Sequence, residues 1–169
     1  MGSLEHEIRE GVEVVVVFRD DAVEALAAVW LARDFGEGAR HDYEALPSEV
    51  AAGVMAQVKS QFDSLPGRRF GDYRVKFCDD FNYTDPVDGS LSTGQGLRVG
   101  FSDGSRIVFR LSGTGTEGAT LRVYLEAFEA DPAKQRVDAQ QALGRLILIA
   151  DELSQLKQRT GRERPTVIT

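Results

Sequence analysis

The sequence predicts an α+β domain, in which an antiparallel sheet carries helices packed on one of its faces. Three observations lead there. Two stretches with helical periodicity precede a strand-rich centre. That centre contains an Asp-Gly turn between two alternating segments, a strong hairpin signal. A long amphipathic stretch then closes the chain.

Residues 1–10, MGSLEHEIRE, are charged and lack an apolar signal core. They read as a tag-like or frayed start outside the fold. Val12–Phe18 is a strand by its run of valines, with enough β-propensity to pair with another chain if left at an edge. Asp21–Phe35 reads as a helix that Asp20 or Asp21 can cap. Val23, Leu26, Ala27 and Trp30 share its face, and Gly36 and Gly38 end it. Trp30 reads as a core or interdomain residue. A second helix, 48–63, starts after Pro47 with Ser48 as N-cap. Val50, Val54, Val58 and Phe62 recur along it, and Leu65-Pro66-Gly67 stops it.

The antiparallel sheet is expected over 73–128. Tyr73–Phe77 alternates like a strand, and Leu97–Phe101 and Arg106–Leu111 flank the turn Ser102-Asp103-Gly104-Ser105. Thr120–Phe128 follows, with Leu121, Val123, Leu125 and Ala127 toward the core. A single long helix over 132–160 comes last. Asp131 is its N-cap and Pro132 its first residue. Leu143, Leu146, Ile147, Ala150 and Leu153 form its buried stripe, and Gly161 ends it.

A length of 169 residues suggests one domain, or one domain with an appendage. No apolar run approaches the roughly 20 residues of a membrane helix. The net charge of −7 gives no broad attraction to nucleic acid or anionic membranes. A phosphate would therefore have to be held by a local cluster of donors. The single cysteine, Cys78, allows neither an internal disulfide nor a Cys-based zinc site. It reads as a small buried or half-buried apolar residue, and the cytoplasm is the default compartment.

The stretch that carries chemistry is Arg110-Leu-Ser-Gly-Thr-Gly-Thr-Glu-Gly-Ala-Thr-Leu-Arg122. Its glycines let backbone amides converge on an anion, and Ser112 and Thr114 add hydroxyls. Parity sharpens the reading. Ile107, Phe109 and Leu111 point one way and Arg110 the other; Leu121 and Val123 point to the core and Arg122 does not. If the two strands are antiparallel neighbours, both guanidiniums emerge on the non-core face, where a phosphate dianion could take both. A flexible Gly-rich hairpin with two solvated arginines would have the same residues.

This segment resembles the phosphate-binding loop of the α-D-phosphohexomutase superfamily. The likeness to its phosphoglucomutase branch extends over about residues 40–169, with 1–39 matching poorly. It includes Arg40-His-Asp-Tyr-Glu44, Asp85-Pro-Val-Asp-Gly-Ser90, Gln95-Gly-Leu-Arg98, Asp103–Arg110, Arg159-Thr-Gly-Arg162 and Pro165-Thr-Val-Ile-Thr169. The resemblance implies a TATA-binding-protein-like C-terminal domain. It also implies a loop in which Arg110, Ser112, Gly113, Thr114, Gly115 and Arg122 hold the non-reacting phosphate of a hexose phosphate. Glu117 is expected to point to water. The family's phosphoserine, magnesium and sugar-selecting loops have no counterpart between residues 1 and 169. The closing Pro-Thr-Val-Ile-Thr resembles the family's C-terminus, so the expectation is a chain lacking the front of the enzyme and inactive alone. Magnesium and glucose-1,6-bisphosphate are then implied for the complete mutase, with its catalytic domains as partners.

Two other functional readings stand beside this one. The chain could be a stand-alone phosphosugar-binding or interaction module. Alternatively, Asp85-Pro-Val-Asp-Gly-Ser90 resembles the metal loop of inositol-monophosphatase-like enzymes, so Asp85 and Asp88 could serve a magnesium-dependent phosphomonoesterase. A Pro-directed turn, its Asp side chains bonded to the backbone, is the favoured reading of that segment. His41 has no nucleophile partner in sequence and reads as a surface or interface histidine.

Overall fold

The computed structural model describes residues 4–9, 12–17, 38–84, 91–115, 118–127 and 138–169. The expected helix 21–35 with Trp30, the Asp85–Ser90 turn, Glu117 and the Asp131–Pro132 cap lie outside them. Strands β1 (Leu4–Arg9) and β2 (Val12–Val17) pair antiparallel as a hairpin. Residues 4–9 are thus a strand rather than a frayed start, because the valine run offers a β-ladder that their backbone completes.

The remaining strands are β3 (Gly38–Leu46), β4 (Arg69–Phe70), β5 (Tyr73–Thr84), β6 (Leu91–Phe101), β7 (Arg106–Gly115), β8 (Gly118–Glu126) and β9 (Val167–Ile168). Among the described residues they form a seven-stranded sheet in the order β4-β5-β6-β7-β8-β3-β9. Every pairing in it is antiparallel. The expected sheet over 73–128 is present, but it extends further: β3 inserts beside β8, and the C-terminal β9 closes against β3.

Helix α1 (Ser48–Lys59) packs on β6, β7 and β8. Pro47, not Ser48, is its N-cap, and the Pro47 carbonyl accepts the Ala51 N–H at 3.0 Å. Glu49 in its first turn and Lys59 in its last complement the helix dipole. The expected C-terminal helix is broken into α2 (Ala139–Ala142), α3 (Gly144–Ser154) and α4 (Leu156–Thr160). Its described start is capped by Asp138, whose side chain accepts the Gln141 N–H. The second break is Gln155, in the left-handed region at φ 52°. That turn returns Leu156 to the core, at 3% exposure, and lets Lys157 N–H donate to Asp151 Oδ1 at 3.0 Å. Gly161 ends the last helix at φ 67°, as expected.

The two faces of the sheet differ. Toward the helices point Leu97, Val99, Phe101, Ile107, Phe109, Leu121, Val123 and Leu125, all buried in one cluster with Val54, Val58, Leu146 and Leu153. The second face holds a smaller apolar cluster of Phe81, Val108 and Tyr124 among charged residues. There Arg98 grips Asp79 through two bonds of 2.9 and 2.6 Å and lies over the rings of Phe77 and Phe81. Arg106 grips Glu126 likewise, at 2.7 and 2.8 Å.

Candidate phosphate-binding site

The site is built by the alternation of β7 and β8. Ile107, Phe109 and Leu121 fill the core face, so Arg110 and Arg122 must project from the second face. They are direct Cα partners across the two strands. The Gly-rich segment between them is tighter than an open loop. Ladder pairing continues through Ser112↔Thr120 and Thr114↔Ala119 to Gly115↔Gly118. Between Ser112 and Thr114 the register shifts by one, leaving Gly113 as the extra residue of a bulge. The six residues expected at the phosphate therefore occupy one hairpin: Arg110 and Arg122 at its root, Ser112 and Gly113 at the bulge, Thr114 and Gly115 toward its tip.

Gly118 locks this hairpin to β3. Its φ is +95°, and a Cβ there would stand 2.9 Å from the Leu46 carbonyl oxygen and 3.3 Å from the Ala45 backbone. β3 bulges at that point, with Ala45 at φ 52°. Gly118→Ala is expected to cost about 1–3 kcal/mol, from the strained backbone and the displaced carbonyl. A urea midpoint unchanged from that of the parent chain would show that the contact between the hairpin and β3 tolerates a side chain.

β3 was not legible as a strand, and it brings an acidic residue to the site. Asp42 is the Cα partner of Arg122, which continues the row that starts at Arg110. Asp42 is 5% exposed, and its carboxylate forms ion pairs with Arg40, Nε–Oδ1 3.1 Å, and, beyond hydrogen-bond length, with Arg122, Nε–Oδ2 3.9 Å. Ala39, His41 and Tyr43 alternate with Arg40, Asp42 and Glu44, but the pattern is too weakly apolar to mark a strand by itself. The C-terminal segment closes over this strand. Arg40 exchanges backbone hydrogen bonds with Thr169 at 2.6 and 3.0 Å, and the Asp42 carbonyl accepts the Thr166 N–H at 2.7 Å.

His41 faces the opposite way and is 4% exposed, so it is not a surface histidine. Its Nε2 lies 2.9 Å from Gln140 Oε1 of α2. Strand parity that sends Asp42 outward sends His41 inward. Burial holds its imidazole below the usual 6.5, partly opposed by the Gln140 bond and by Asp42. The sign follows. Above about pH 6.5 both states are neutral at this residue; below it the unfolded chain binds the proton first and folding weakens. The parent's thermal midpoint is expected to fall more steeply between pH 6.5 and 5 than that of His41→Gln, and parallel curves would remove His41 from the acid limb. Cys78 is half-buried, and its thiol is pushed up to about 11, chiefly by burial with Asp79 adding to it. Among the described residues, no three His, Cys, Asp or Glu side chains form a group that could hold a metal, and no helix is long and apolar enough to cross a membrane.

Residues 38–166, which include the hairpin and β3, match the family model of the phosphoglucomutase-1 C-terminal domain. The chain belongs to the phosphoglucomutase C-terminal domain family. The likeness is dense in sequence. The chloroplastic phosphoglucomutase of Solanum tuberosum is 53% identical over 131 residues, covering 77% of this chain and 21% of that enzyme. Phosphoglucomutase-1 of Homo sapiens is 52% identical over 136 residues, covering 77% of this chain and 24% of that protein. This phosphoglucomutase domain therefore corresponds to about a quarter or less of the length of those relatives. In structure it is similar to the open form of pp63/parafusin, a phosphoglucomutase from Paramecium. The TM-score is 0.69 and the identity 38%, over 88% of this chain and 25% of the other. That similarity extends to the antiparallel sheet with its helices on one face.

Proposed function

We propose that this chain is the part of a phosphoglucomutase that holds the phosphate not undergoing transfer, in a hexose phosphate whose phosphate moves between the 1 and 6 positions of glucose. The observation that carries the reading is the direct cross-strand pairing of Arg110 with Arg122 beside the Gly113 bulge. Their guanidiniums emerge side by side, and a phosphate dianion between them could take a charge-assisted fork from each. The hydroxyls of Ser112 and Thr114 and the amides of Gly113 and Gly115 would complete the set. The anchored phosphate fixes the sugar, so binding energy is spent on orientation at the distant reacting end. The rest of the mutase would supply the phosphoserine, with magnesium and glucose-1,6-bisphosphate.

Titration with inorganic phosphate or glucose-6-phosphate, followed by amide NMR, tests this. Shifts are expected to cluster between residues 110 and 122, with a dissociation constant on the order of millimolar, or ~4 kcal/mol. Charge-assisted bonds contribute about 1.5–3 kcal/mol each, and the cost of association offsets much of that. Arg110→Ala and Arg122→Ala should each weaken binding, and Asp85→Ala should not. Shifts confined to Asp85–Ser90 would instead support the magnesium-dependent phosphomonoesterase.

A further inference from the structure

We propose that Asp42 is the positioning residue of this site, acting through Arg122; the inference rests on the phosphate reading above. Arg110, Arg122 and Asp42 are successive Cα partners across β7, β8 and β3, so the carboxylate stands beside the arginine pair in one row. Asp42 is only 5% exposed, and a buried acidic residue needs partners of opposite charge. Asp42 is met by two, and both approach through Nε: Arg40 at 3.1 Å and Arg122 at 3.9 Å. Contact at Nε lies behind the two Nη groups that form the end-on fork toward a phosphate. At 3.9 Å, beyond hydrogen-bond length, the carboxylate can therefore bias the guanidinium of Arg122 by charge without occupying its fork.

The backbone beneath Asp42 is itself held on both sides. β8 pairs with it along one edge, and Thr166 donates to its carbonyl at 2.7 Å along the other. An arginine side chain has large rotamer freedom, and a ligand that must freeze it loses affinity. Holding Arg122 beforehand removes part of that loss. Asp42 reached the site by strand insertion, 80 residues before Arg122 in the sequence.

The alternative role, a simple counter-charge, has the opposite sign. A carboxylate beside a phosphate repels it, so its removal would tighten binding. Asp42→Asn keeps the shape and removes the charge. Inorganic phosphate is titrated at fixed ionic strength into the parent chain, Asp42→Asn, Arg122→Ala and the double variant, and the Arg122 Nε–Hε resonance is followed by NMR. Asp42→Asn is expected to weaken binding about fivefold, within the coupling range of one ion-pair network, although the site becomes more positive. It should move the Arg122 Nε–Hε signal before phosphate is added, and cause no further loss in the Arg122→Ala background. Unchanged or tighter binding in Asp42→Asn, with the parent chain still binding, overturns the inference alone. Equal weakening with and without Arg122 also overturns it, since Asp42 would then act through the fold. Absence of binding by the parent chain overturns the phosphate reading and this inference with it. If Asp42→Asn fails to fold, Asp42→Glu carries the same test. It keeps the charge and moves it by one methylene, so weaker binding supports positioning and unchanged binding overturns it.

Discussion

Mixed with magnesium, glucose-1,6-bisphosphate and glucose-1-phosphate, the chain alone is expected to form no glucose-6-phosphate. Enzymes accelerate such transfers by about 10⁶-fold or more, and most of that comes from groups at the reacting atoms. The hairpin from Arg110 to Arg122 would touch the phosphate that does not react. Anchoring supplies orientation, and orientation has nothing to act on without a nucleophile. The 169 residues contain no counterpart of the family's phosphoserine or magnesium loops. Glucose-6-phosphate formation is read with a coupled dehydrogenase assay on repeatedly purified protein. Turnover that persists at constant specific activity would require a catalytic centre within this chain and would sink the proposed division of labour.

Phe109→Ala is expected to destabilise the fold by about 3–5 kcal/mol. Phe109 is fully buried at the middle of β7, between its Cα partners Leu97 and Val123. α1 packs across that strand, so the cavity would open between sheet and helix, where neighbours on both sides are fixed. Domains of this kind are stable by about 5–15 kcal/mol in total, so the variant would lie near the edge of folding. Leu148→Ala is the control: Leu148 is 58% exposed, and its loss should cost about 0.5 kcal/mol or less. Urea unfolding with unchanged slope distinguishes the two. Equal midpoints for both variants would contradict the packing of the sheet's helix-facing side. Arg110 stands next to Phe109, so the same experiment reports on what holds the hairpin in place.

The readable parts were those whose cause lies within a few residues. Asp103-Gly104 forces a reversal, and the strands on either side alternate, so the β6–β7 hairpin follows from local chemistry. The parity of Arg106–Leu111 and Thr120–Phe128 placed Arg110 and Arg122 on one face, conditional on the two strands being neighbours, and β7 and β8 are neighbours. The apolar stripe through Leu143, Leu146, Ala150 and Leu153 predicts a continuous C-terminal helix. A left-handed residue at Gln155 leaves no mark in such a stripe.

The sequence by itself determined the α+β class, the hairpin and the identity and parity of the paired arginines, because turns and alternation are properties of neighbouring residues. Tertiary structure alone decided that Arg40-His-Asp-Tyr-Glu44 is a strand, that it lies against β8, and that the C-terminal Val167–Ile168 closes beside it. It also decided that His41 is buried while Asp42 meets Arg122. The reason is physical. A polar strand has little apolar pattern of its own, and its backbone groups are satisfied only by ladders from distant parts of the chain. Which strands supply those ladders depends on contacts 80 to more than 120 residues apart in sequence, as between Asp42 and Arg122 and between Asp42 and Thr166.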